Sequence, residues 1–132
     1  MDENRVARTL ISHDKSKDMA VFTHAKKLSE YIFVITEKSP KKLRWSIITR
    51  MQNISVEIIE NLYRANLERG ELRVEYQKRA YVNVQLLDYY ASTAKTMQAI
   101  NNHQMLVLGK SLLDVKKLLL GWVKATKNNL ST

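Results

Sequence analysis

The chain has 132 residues, 45% hydrophobic and 27% charged, a composition that suits one globular domain with its own core and excludes a disordered polyelectrolyte. It carries 22 Lys and Arg against 13 Asp and Glu, a formal charge of +9, which points to a polyanion or an acidic partner. No cysteine is present, so disulfides, thiolate catalysis and cysteine-bound zinc are excluded. No apolar run approaches the roughly 20 residues of a membrane span, and the opening MDENRVARTL lacks the apolar region of a signal peptide. The expectation is a soluble cytoplasmic protein with no membrane contact.

Residues 1–17 read as a polar lead and residues 18–132 as a single all-α unit. Three glycines and one proline leave few places to break a helix. The first helix is predicted over about 18–38, with Val21, Ala25, Leu28, Ile32 and Ile35 on one stripe. Ser39 then reads as an N-cap and Pro40 as the first helical residue, where its missing N–H costs nothing. The second helix follows to about 68 on Leu43, Ile47, Met51, Ile54, Ile58, Leu62 and Ala65, with Gly70 as its stop. A third spans about 71–100, with Tyr76, Ala80, Leu87, Tyr90, Ala94 and Met97 in register, and NNH at 101–103 supplies the next turn and cap. The fourth runs over about 103–127 on Met105, Leu108, Leu112, Val115, Leu119 and Trp122. Alternating steps of three and four with short connections predict an antiparallel, up-down-up-down four-helix bundle.

The second helix carries another apolar series, Trp45, Ile48, Val56, Ile59 and Tyr63, away from its main stripe. A helix apolar on two sides has neighbours on both, so these residues are expected at an interface between copies of the chain. A wide core stripe that simply buries Ile48 and Ile59 is the plainer reading. Leu106, Leu113 and Leu120 on the fourth helix point the same way as the interface.

Nothing in the sequence supports an active site. His13, His24 and His103 lie in separate regions without a Glu or His at helical spacing, so no metal or cofactor is expected. Glycine-rich phosphate loops are absent, and Ser46, Ser55 and Ser111 lack a nucleophile signature. Glu57, Glu60, Glu68, Glu71 and Glu75 interleave with Arg64, Arg69, Arg73, Lys78 and Arg79, a pattern of salt-bridge lacing on solvent faces.

The stretch KSPKKLRWSII (38–48) is different. From Lys38 to Arg50 there are five cations and no acid, and from Tyr76 onward eight Lys and Arg face only Asp88 and Asp114. In an antiparallel bundle Lys38, Lys41, Lys42, Arg44, Lys95 and Lys110 share one end. Cations at a helix N-terminus oppose the helix dipole, so their placement calls for a compensating anion. Arg50, Lys116, Lys117, Lys124 and Lys127 complete the candidate nucleic-acid-binding set. Of these, Lys124 and Lys127 are expected at the opposite end, with Lys26, Lys27, Arg64, Arg73 and Arg79. Such a surface reads phosphate rather than base sequence. RNA is the first expectation and DNA the second; a structural homo-oligomeric adaptor for an acidic protein partner is the alternative.

Three segments carry a family likeness: EKSPKKLRWSIITRMQNISVEIIENLYRAN (37–66), YVNVQLLDYYASTAKTM (81–97) and LLLGWVKATKNN (118–129). Together the chain over about 20–128 resembles the accessory variability determinant (Avd) family of diversity-generating retroelements and, more broadly, bacterial four-helix-bundle proteins. The resemblance implies a ring-shaped homopentamer of bundles with a basic surface and no catalytic activity. It also implies binding to a reverse transcriptase and its template RNA in support of mutagenic cDNA synthesis.

Overall fold

A computed structural model describes residues 16–130 of the chain. Four helices follow one another: α1 (Ser16–Thr36), α2, α3 (Gly70–Thr96) and α4 (Asn102–Leu130). The second, α2, is composite: one α turn (Lys41–Leu43), a π-helical segment (Arg44–Ile48) and a long α stretch (Thr49–Leu67). No strand occurs among the described residues. The polar lead expected over 1–17 lies largely outside the described residues; α1 is already helical at Ser16.

Each helix packs on the next, and α1 also packs on α4, so the four close into a bundle around one core. Val21, Ala25, Leu28 and Ile32 from α1 meet Met51, Ile54, Ile58 and Leu62 from α2, with Leu108, Leu112, Val115 and Leu119 from α4. Every one of these is buried, and each fully buried Leu or Ile contributes about 1.5–3 kcal/mol over an exposed one. On α3 the buried face is Val74, Gln77, Ala80, Val84, Leu87, Ala91 and Ala94. It is rotated from the predicted one: Tyr76 and Tyr90 sit half-buried at its edges, and Met97 lies past the helix end, exposed. The bulky phenols stay where their hydroxyls reach water, and alanines take the centre.

Polar side chains tie the helices at defined heights. The Ser29 and Ser55 hydroxyls share a buried hydrogen bond of 2.9 Å. Gln52 Nε2 donates to Thr36 Oγ1 at 3.0 Å, and Thr36 Oγ1 donates to the Ile32 carbonyl at 2.6 Å. Asn61 Nδ2 reaches Asn83 Oδ1 at 3.4 Å, and Asn83 Nδ2 donates to Glu57 at 2.9 Å. Gln77, wholly buried, donates to Thr126 Oγ1 at 3.0 Å.

The connections differ from expectation in three places. Pro40 is itself the cap, at φ −54° and ψ 135°, and Lys41 opens the helix. Ser39 Oγ makes no capping bond and is a buried oxygen without a partner. At the end of α2 the chain turns extended at Glu68, and Gly70, at φ +63°, opens α3 instead of closing α2. The orphan carbonyls of α2 are capped by Arg73, whose Nε donates to Ala65 at 3.0 Å and Glu68 at 2.8 Å. Finally, α3 ends at Thr96, four residues before the predicted boundary. There Gln98 takes φ +63°, its N–H donates to the Lys95 carbonyl at 3.0 Å, and the Ala99 N–H donates to Ala94 at 2.8 Å. That is a Schellman closure with Gln where Gly is usual. Asn101 and Gln104 then exchange side-chain-to-backbone bonds of 2.8 and 2.9 Å, a capping box that starts α4.

Candidate nucleic-acid interface

The basic stretch begins in the α1–α2 turn with Lys38 and continues through Lys41, Lys42 and Arg44, all exposed. Its local geometry is set by the π-helical turn. The Thr49 N–H donates to the Arg44 carbonyl five residues back, and the Thr49 hydroxyl donates to the same oxygen at 2.5 Å. Ser46 Oγ adds a bond of 3.2 Å to the Leu43 carbonyl. A π turn holds one more residue than an α turn and changes the facing of everything before it. Leu43, Ile47 and Ile48 all point inward as a result, and Trp45 points out, 84% exposed.

Ile48 therefore corrects the interface expectation. It is 3% exposed, part of the chain's own core, and offers nothing to another subunit. Ile59 is half-buried against that core. Val56 and Tyr63 are 47% and 46% exposed. The Tyr63 ring already stacks on Phe22 at 5.0 Å, with Lys26 Nζ 5.4 Å from its centroid.

Electrostatically, two ion pairs are formed among the described residues: Arg64 to Glu60 at 3.0 Å and Arg79 to Glu75 at 2.7 Å, both one turn apart on their own helices. The hydrogen bond and charge of Glu60 raise the Arg64 pKa further above its ordinary value. Of the lacing read from the sequence these two pairs form, while Arg73 donates to backbone carbonyls and Glu57 accepts from Asn83. The paired glutamates lie away from α2's start. Lys38, Lys41, Lys42, Arg44, Lys95, Lys110, Lys117 and Lys124 have no carboxylate within 4.0 Å among the described residues.

The predicted set is not one cluster. Lys38, Lys41, Lys42 and Arg44 are together by sequence. Arg50 reaches across to α3, 5.5 Å over the Tyr90 ring and 3.5 Å from its hydroxyl. Lys95 lines a polar cleft at the α3–α4 turn with Asn101 and Asn102, and Lys110 is exposed two turns into α4. Lys116 lies half-buried over Tyr81 at 5.8 Å, and Lys117 beside it is exposed. Lys124 and Lys127 belong to the part of α4 where Trp122 meets Phe22 at 6.3 Å. Phe22 is 14 residues from Thr36, about 21 Å along α1, so these two lysines do not share the patch at α2's start. Arg73, expected in the far basic group, is occupied as a helix cap and lies 5.6 Å over the Trp122 ring.

Sequence reasoning missed the Arg50–Tyr90 contact and the neighbouring Tyr89, 64% exposed and edge-on to Tyr90 at 5.4 Å. The doublet YY at 89–90 was the available signal. Among the described residues no three His, Cys, Asp or Glu side chains gather as metal ligands, and no helix is long and apolar enough to cross a membrane. No family model and no curated protein matches the chain.

Proposed function

We propose that the protein is a non-enzymatic nucleic-acid-binding accessory subunit that grips phosphates through the basic start of α2. The observation that carries this reading is the run Lys38, Lys41, Lys42 and Arg44, exposed at a helix N-terminus with no carboxylate within 4.0 Å among the described residues. Four like charges there raise the energy of the isolated chain, and a bound polyanion relieves it.

The reading uses an antiparallel, up-down-up-down order, which brings Lys95 and Lys110 toward the same end. Support comes from the order of contacts. Ser29 meets Ser55 and, further along α1, Thr36 meets Gln52; Asn83 meets Glu57 and, further along α3, Tyr90 meets Arg50. In each case one helix advances as its neighbour recedes.

The likeness of 37–66, 81–97 and 118–129 to Avd-type proteins specifies the role further: a cytoplasmic homo-oligomer, a pentamer in that family, that serves a reverse transcriptase and its template RNA. Val56 and Tyr63, partly exposed on α2, and Leu106, Leu113 and Leu120 on α4 are the surfaces we assign to assembly. A ring of copies multiplies a modest patch into useful avidity.

Reversal of Lys41, Lys42 and Arg44 to Glu tests the patch. Gel-shift affinity for RNA should be lost while circular dichroism stays helical. Unchanged affinity overturns the assignment. A wild-type protein that binds no nucleic acid at moderate salt, yet captures an acidic protein, replaces the reading with that of an adaptor.

A further inference from the structure

We infer that Trp45 is a stacking platform for an unpaired base, so that the start of α2 selects single-stranded over duplex nucleic acid; this rests on the nucleic-acid reading above and narrows its substrate. Trp45 is the most exposed large apolar side chain among the described residues, at 84%. It is not a frayed residue. The π turn fixes its facing through the paired bonds of Thr49 to the Arg44 carbonyl, and Leu43, Ile47 and Ile48 anchor that turn in the core. The backbone that carries the indole is thus held in place, with Lys38, Lys41, Lys42 and Arg44 around it in sequence.

Those cations choose the occupant. An apolar ring that stands among exposed ammonium and guanidinium groups suits a ligand that is anionic along its backbone and carries flat apolar faces. In a duplex both faces of every internal base are already covered, and exposing one costs a few kcal/mol. In a single strand the face is free. Phosphate contacts alone do not distinguish the two strand states, so the ring supplies the discrimination. A second aromatic–cation group, Tyr89 edge-on to Tyr90 with Arg50 over it, lies where α3 meets α2. A second copy of the chain docked two-fold, ring on ring, suits Trp45 less well, because it would bring the same four cations with it, charge against charge. A head-to-tail contact of the kind a ring uses is read by the mass measurement below.

The chain has two tryptophans, and the other, Trp122, is buried at 5%. Full-length protein with Trp122→Phe therefore reports on Trp45 alone. It is titrated with a short unstructured RNA strand and with the same strand annealed to its complement, at one salt concentration, with binding read independently by gel shift. The single strand should quench Trp45 emission as it binds, and the duplex should not. Trp45→Leu, made in the otherwise unchanged chain, should weaken single-strand binding by about tenfold, the scale of one base–aromatic stack, and leave duplex affinity unaltered. If Trp122→Phe impairs folding, the Trp45→Leu comparison decides alone, because it leaves the core untouched. Single-strand binding without quenching, or equal loss on both strand states, overturns the inference and leaves the phosphate-binding reading intact. A fall in molar mass by light scattering with unchanged RNA affinity assigns the ring to subunit contact and also overturns it. Absence of all nucleic-acid binding by the wild type overturns the parent reading, and the inference with it.

Discussion

Trp45 and Ile48 stand three residues apart in one helical turn, and their surroundings are opposite. Ile48 is at 3% exposure and Trp45 at 84%. Removal of the buried Ile48 side chain leaves a cavity, so Ile48→Ala should cost about 2–5 kcal/mol in urea denaturation. Trp45→Ala should change stability by no more than about 0.5 kcal/mol. A large loss for Trp45 would mean that its ring is packed within the monomer. Gln77 poses a different residue-scale problem. Its Nε2 is satisfied by Thr126, but its Oε1 is a buried acceptor without a partner. Thr126→Val strands the amide and should cost about 1–3 kcal/mol, whereas the pair Gln77→Leu with Thr126→Val should recover most of that loss. A double-mutant cycle by thermal denaturation reads the difference; a double variant no better than Thr126→Val would show that the amide is held by more than Thr126.

At the scale of elements, the α3–α4 connection is the clearest case of a shape the chain adopts against local preference. Gln98 holds a left-handed backbone at φ +63° where glycine is unstrained. Gln98→Gly should stabilise the protein by about 0.5–1 kcal/mol, visible as a raised Tm; a lowered Tm would show that the Gln side chain makes a compensating contact. The helices themselves were legible. The stripe Leu43, Ile47, Met51, Ile54, Ile58, Leu62, Ala65 is buried in full, because a helix with one apolar face has one way to hide it. Their ends were less so. Ser39 has the chemistry of a cap but not the position, since Pro40 fixes φ and takes the cap site itself. The π turn left no mark in spacing: the double step of four at Leu43, Ile47, Met51 recurs at Ile54, Ile58, Leu62, where the helix is regular. Within it the neighbours Ile47 and Ile48 are both buried.

For the whole molecule, net charge was readable from composition but its display was not. Glutamates at Glu60 and Glu75 are spent on Arg64 and Arg79 one turn away, while at the start of α2 no ion pair forms among the described residues, although Glu37 stands in the turn just before it. That local difference turns a basic protein into one with a basic patch. The candidate set was also spread more widely than one patch: Lys116 belongs to a tyrosine contact, and Lys124 and Lys127 lie toward the other end of the bundle, the end at which the sequence reading placed them. The direct test is the salt dependence of RNA affinity for the wild type and for Lys41→Glu/Lys42→Glu/Arg44→Glu. Four cations on phosphate give a slope of log affinity against log salt of roughly −3, at about −0.7 for each neutralised phosphate of a single strand. The account predicts that steep slope in the wild type and its collapse in the triple variant. A wild-type affinity indifferent to salt, or a triple variant with the wild-type slope, would contradict it.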